Sequence, residues 1–169
     1  MILDAIKNRK SIRNFDPNGK ITKEEITEML TAGMLAPSAC ALYPVEYVVV
    51  GDRKKLNEIM KIHPYTGMLK NATHAIIVVA NVTKTNAIAR GMYVQDCSAS
   101  AENILLQAAS MGIGTCWCAI NPNPKLISAF HAALNLPDNM EPFCCIAVGI
   151  PAEPFGSRGK FDAAKIKWQ

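Results

Sequence analysis

No apolar run in this 169-residue chain is long or uninterrupted enough to cross a bilayer, so no membrane partner is expected. The first residues lack the pattern of a signal peptide, and a cytoplasmic setting is the expectation. There is no repeat, no low-complexity segment, no Walker loop and no G-x-G-x-x-G fingerprint. Gly112-Ile113-Gly114 is too short for either nucleotide motif and follows a helical pattern, where a fingerprint would precede one. Positive charge is nearly absent from Gly91 to Ser157, where Lys125 stands alone, and is crowded toward both ends. Such placement suits a local anion site and argues against a nucleic-acid face, which needs cations spread among polar or aromatic readers.

Metal-ligand spacing is missing too. Six cysteines are present, at 40, 97, 116, 118, 144 and 145. Cys116-Trp117-Cys118 is too tight for the usual zinc pair, and no second pair or histidine completes a tetrahedron, so no metal is expected. Runs such as Phe143-Cys144-Cys145-Ile146 use cysteine as a small hydrophobe, consistent with a reducing compartment. His63, His74 and His131 fall by pattern on helix ends and surfaces and receive no catalytic role. Asp96 and Glu102 lie almost two turns apart on one helix, too far for a working carboxylate pair.

What is present is a chain of single-domain size, half hydrophobic, able to bury a core without disulfides or metal. Residues 1–169 read as one domain, with a tail from about Pro151 that crosses its own surface or that of a partner, anchored by Phe155, Phe161 and Trp168. Thr22 and Glu25 form a capping box opening a helix whose apolar face is Ile26, Met29, Leu30, Gly33 and Met34, ended by Pro37. Strands are expected at Val45–Val50, Ala75–Ala80, Thr115–Ile120 and Phe143–Val148, with helices after Asp52 and at Asn123-Pro124. Tyr93 to Met111 is the longest helical pattern and is apolar on more than one face, as a helix central to the core or to a subunit interface would be. Without a steady βαβ alternation, the pattern favours an α+β sheet flanked by helices over a doubly wound fold.

The stretch richest in chemistry is Arg9-Lys10-Ser11-Ile12-Arg13-Asn14-Phe15, three cations and a hydroxyl in what reads as one turn before an aromatic anchor. Arginine offers a planar fork of donors to phosphate oxygens, lysine a point charge and serine a neutral donor. Alone such a run is usually a solvated basic edge. A second cluster, Ser157-Arg158-Gly159-Lys160, is available for the same anion.

Together with Ala36-Pro37-Ser38-Ala39 and the long helix entering Gly112-Ile113-Gly114-Thr115-Cys116-Trp117, this run resembles the nitroreductase family of FMN flavoproteins, in its compact form, from Leu3 to Arg158. The resemblance implies a mixed, mainly antiparallel sheet, with the long helix at the interface of a homodimer. Two FMN molecules would lie between the subunits. Arg9, Lys10 and Ser11, with Arg158 and Lys160, would hold the phosphate, and Arg13 would lie toward the pyrimidine, where a cation steadies the charge that develops on reduction. Pro37, Ser38, Ala39 and Ala41 match a segment that reaches the flavin from the other subunit. Relatives there commonly continue with Asn and then Gln before Pro-Trp, where this chain has Ala41, Tyr43 and Val45, so the pocket lacks a side-chain donor. Cys116, Trp117, Cys118, Ala119 and Ile120 would line the closed face of the flavin, with a backbone amide toward N5. Trp117 either stacks on the ring or fills the core; the cysteines read more readily as packing residues than as working thiols. Tyr65 either rims the pocket or anchors its loop. The implied activity is hydride transfer from NADH or NADPH through FMN to a small acceptor such as a nitroaromatic or quinone. The same fold also hosts flavin-consuming and dehalogenating enzymes, and a non-catalytic flavin-binding protein would carry the same cradle.

Overall fold

The structure, a computed structural model, describes residues 1–156 and 159–169. Five α-helices and four strands make up the main elements of the described chain: α1 (Asp4–Asn8), α2 (Lys23–Met34), β1 (Val45–Val50), α3 (Arg53–Ile62), β2 (His74–Asn81), α4 (Tyr93–Ser110), β3 (Gly114–Ala119), α5 (Pro124–Leu134) and β4 (Met140–Gly149). Local chemistry accounts for most of the boundaries. Thr22 Oγ1 accepts from the Glu25 amide while the Glu25 carboxylate accepts from the Thr22 amide, so the expected capping box opens α2. Asp52 caps α3, and Asn123 caps α5 ahead of Pro124, whose missing N–H costs nothing at the first helical position.

The sheet order is β1-β2-β4-β3 and every pairing is antiparallel. The period-2 alternation of the strands divides the core into two layers. Ala75, Ile77, Val79, Cys145 and Ala147 face α3 and α5, while Ile76, Val78, Ala80, Cys144, Ile146 and Val148 face α2 and α4. With both faces covered, β2 and β4 can be apolar along their centres, as Ala75–Ala80 and Phe143–Val148 are. On α4 the buried set includes Cys97, Ser100, Ala101, Ile104, Leu105 and Ala108. Small residues there let the helix sit close to the sheet, and its apolar side chains contribute about 1.5–3 kcal/mol each where large.

The basic run is not a turn. It is an extended strap that crosses the outer edge of β3: Ser11 bridges Thr115 in parallel, the Ile12 amide donates to the Thr115 carbonyl (2.8 Å), and Phe15 bridges Pro151. Ile12 and Phe15 turn inward and are fully or almost fully buried, which leaves Arg9, Lys10 and Arg13 on the outside. Phe15 sits where Gly114 and Gly149 face each other across β3 and β4. A Cβ on Gly149 would lie 2.7 Å from Phe15 Cδ1, and one on Gly114 2.9 Å from Ile12 Cγ2. The two glycines are therefore the seat of the strap.

One expectation on the helix faces needs correction. Met34 is exposed, since α2 ends there and the inward face is Ile26, Met29 and Gly33. The tail from 150 to 156 runs along its own strap, with Ala152 N donating to Asn14 O (2.9 Å) and Gly156 N to Asn8 O (3.0 Å). Phe155 packs against the core, while Phe161 and Trp168 are 84% and 91% exposed.

Candidate functional site

Two adjoining concavities lie at the strap and the β3 edge. The smaller, about 240 Å³, is lined by Arg9, Lys10, Ser11, Arg13 and Gly159. The larger, about 680 Å³, is lined by Arg13, Asn14, Pro64, Tyr65, Gly67, Met68, Lys70 and the strand residues Cys116, Trp117, Cys118 and Ala119. Arg13 belongs to both. Three residues expected to hold the phosphate, Arg13 expected toward the pyrimidine, and four residues expected to line the ring thereby border two hollows that meet at Arg13. Lys160 is exposed and does not line either, Ile120 is buried beneath, and Arg158 lies outside the described residues.

The floor of the larger cleft is a sheet edge. Thr115 O points away from β4 toward Ile12, and Ile120 N points toward β4, donating to Phe143 O (3.0 Å). Strand alternation between these ends directs the backbone groups of Trp117 and Ala119 outward, away from β4. Ala119 O is taken by His63 Nε2 (2.9 Å), whose Nδ1 accepts from the Tyr65 amide (3.2 Å), fixing an Nε2–H imidazole as a buried prop. The Trp117 and Ala119 amides have no such partner among the described residues and face the cleft as donors. The indole of Trp117 fills the core edge, on the α4 side, with its ring 5.8 Å from that of Phe143 at an interplanar angle of 67°.

Cys116 and Cys118 project from the opposite face. Cys118 retains its proton, its thiol pushed up by the hydrogen bond to Cys116 and by burial. Cys116 is lowered to about 7, chiefly by that same hydrogen bond, with help from the Arg13 guanidinium and Ser11 against the cost of burial. Burial drives Cys144 and Cys145 upward, and both are inert packing groups.

Several supports had no sequence signal. Arg53 on α3 donates to the carbonyls of Leu69 (2.6 Å) and Ala72 (2.7 Å), tying down the cleft wall that carries Gly67, Met68 and Lys70. Lys70 is a second cation in the cleft, on a short turn with no motif around it. Glu102 on α4 meets Arg9 Nε at 3.2 Å. Only the bonding partners, remote in sequence, reveal these roles.

Pro37, Ser38, Ala39 and Ala41 are not brought to this cleft within one chain. Pro37 and Ser38 border a separate hollow of about 160 Å³ with Met34, Tyr43 and Tyr47. The buried Asp96 carboxylate holds the segment, accepting from Ser38 Oγ and from the Ala39 amide, both at 3.0 Å. Cys40, Ala41 and Tyr43 adopt left-handed backbone, with φ of 53°, 53° and 47°. Strain on three non-glycine residues persists only where neighbours over-determine it, and here Ser38, itself held by Asp96, accepts from the Tyr43 amide at Oγ (3.0 Å) and from the Ala41 amide at its carbonyl (3.0 Å).

A sequence profile described as the Nitroreductase family matches residues 6–66 and 63–150. The chain is 37% identical over 170 residues, 99% of its length and 87% of the relative's, to a Methanothermobacter thermautotrophicus protein named "Putative NADH dehydrogenase/NAD(P)H nitroreductase". A Bacteroides thetaiotaomicron crystal structure of the same name is similar at a TM-score of 0.91 and 40% identity, over 98% of this chain and 95% of that one. An FMN-dependent nitroreductase from Clostridium difficile R20291 is similar at a TM-score of 0.88 and 27% identity, over 99% and 98% of the two chains. Profile, relatives and fold agree with one another, and the chain belongs to the nitroreductase family.

Proposed function

We propose that this protein is an FMN-dependent oxidoreductase that passes hydride from NADH or NADPH to a small acceptor such as a nitroaromatic or a quinone, working as a homodimer. The carrying observation is the junction of a cationic hollow and a ring-sized cleft through Arg13. A cleft of about 680 Å³ lies within the usual range for small-molecule sites, and the cationic hollow beside it suits a ligand with an anionic tail. The C. difficile relative named FMN-dependent supports the choice of cofactor, and the nicotinamide donor follows from the relatives' names.

FMN, when bound, supplies hydride acceptance and donation; the chain supplies position and charge. Arg9, Lys10 and Ser11 would take the phosphate, using charge-assisted hydrogen bonds. Arg13 and Lys70 would face the end of the ring where negative charge develops, and the outward amides of Trp117 and Ala119 would donate to its edge. Asn14 and Tyr65 would border the acceptor side. Pro37, Ser38, Ala39 and Ala41 would close the partner's site, since they stand away from the cleft of their own chain.

The visible spectrum of freshly purified protein tests the proposal. A flavin spectrum that bleaches when NADH or NADPH is added without oxygen is expected. A colourless protein that takes up no added FMN would overturn it.

A further inference from the structure

Glu153 stands at a point where the strap and the tail meet. Its Oε1 accepts from the amides of Arg13 (2.6 Å) and Asn14 (3.1 Å), and its Oε2 lies 3.3 Å from Lys10 Nζ. Two successive backbone N–H groups aimed at one oxygen form an anion nest, and the lysine supplies its countercharge. The occupant is a side chain of the protein itself. These amide bonds, first from Arg13 and then from Asn14, hold the carboxyl below the usual glutamate value, with Lys10 adding to the effect. The Glu153 and Lys10 side chains are largely enclosed, with 21% and 14% of their surface exposed, unlike the half-open Arg9–Glu102 pair.

Two consequences follow from this geometry. The Arg13 and Asn14 amides are fixed in direction, so Arg13 leaves the strap at a defined angle toward both concavities. Lys10 is held by one carboxylate oxygen, which orients its ammonium and leaves other N–H bonds for a ligand. The same residue pins the tail, flanked by the Ala152–Asn14 and Gly156–Asn8 bonds, on the path that brings Gly159 to the smaller hollow.

We infer that Glu153 is a positioning residue for the phosphate cradle: an internal anion that shapes the nest of Arg13 and Asn14 and orients Lys10, so that strap and tail together present a site for a second, external anion. The functional part of this inference rests on the reading of Arg9, Lys10 and Ser11 as phosphate ligands.

The test compares FMN with riboflavin, which lacks the phosphate, by flavin fluorescence on wild-type protein and on Glu153→Ala and Glu153→Gln. Glu153→Ala should bind FMN at least tenfold more weakly and riboflavin almost unchanged, whereas Glu153→Gln, which keeps an acceptor for both amides, should recover most of the preference. Equal losses for both flavins, or an undiminished preference for FMN in Glu153→Ala, would overturn the inference. Hydrogen exchange on flavin-free protein separates this from failure of the phosphate reading. Faster exchange at Arg13 and Asn14 in Glu153→Ala alone is expected, and unchanged exchange there overturns the clamp whatever flavin binds. If wild-type protein does not distinguish FMN from riboflavin, the phosphate reading falls and the cradle role of Glu153 falls with it.

Discussion

Single side chains in this molecule act through partners far away in sequence. Arg9 lines the smaller hollow while its Nε is held by Glu102. Its replacement by alanine should weaken FMN binding by about 1.5–3 kcal/mol, the range for a hydrogen bond to a charged group, read as a rise in Kd by fluorescence titration. The lost Glu102 contact is half-exposed and adds little. Ala41, at φ 53°, occupies a region that costs most L-residues roughly 1–2 kcal/mol and that asparagine visits readily. Ala41→Asn is therefore expected to raise stability by about 1 kcal/mol in urea denaturation. Glu153 makes the acid response predictable in sign. Its carboxyl is lowered in the folded state, so its stabilisation is fully present above the unfolded glutamate value and is lost as pH falls through the folded one. The stability gap between wild type and Glu153→Gln should be constant near neutrality and close below about pH 4.5, as urea midpoints at successive pH values would show.

At the level of elements, the strap depends on two glycines. Gly149→Ala would place a methyl 2.7 Å from Phe15 Cδ1 and 2.9 Å from Cγ, on a ring that is 2% exposed and has nowhere to retreat. Overpacking of this kind costs about 1–3 kcal/mol and here also shifts the strap, so a lowered Tm and weaker FMN binding should appear together. Normal FMN affinity in a destabilised Gly149→Ala protein would show that the strap does not carry the phosphate ligands. This dependence explains what the sequence disclosed and what it withheld. Strands β2 and β4 are β-branched or apolar runs buried on both faces, and the expected Val45–Val50 matches β1 to the residue. Helices α2, α3, α4 and α5 carry local caps, glycine or proline stops, or a long periodic face. Helix α1 buries nothing and so has no periodicity to read. The Arg9–Phe15 run reads locally as a turn because its extended form is imposed by Thr115, Ile150 and Pro151. The same applies to the site: cations and the Cys116–Ala119 floor were legible as types of residue. The props Arg53, Asp96 and Glu153 were not, because each acts on backbone that is remote or unpatterned.

For the whole molecule the outstanding geometric fact is that the segment Pro37–Ala41 stands apart from the cleft it is proposed to close. Around it Met34, Leu35 and Tyr43 are exposed, and Phe161, Ile166 and Trp168 of the tail are exposed as well. Large apolar side chains left bare on the described chain are the material of an interface. In a homodimer, the strap of one chain and the 37–41 segment of the other would complete each site, so lesions in the two segments should complement. A mixed dimer of an Arg9→Ala chain and an Ala39→Phe chain holds one site with both lesions and one with neither. Each variant alone should retain little flavin at a concentration that saturates wild-type protein. Unfolding and refolding the two together should restore part of the bound flavin absorbance, because the undamaged site re-forms. If both segments served the cleft of their own chain, every site in the mixture would carry one lesion and no flavin would return.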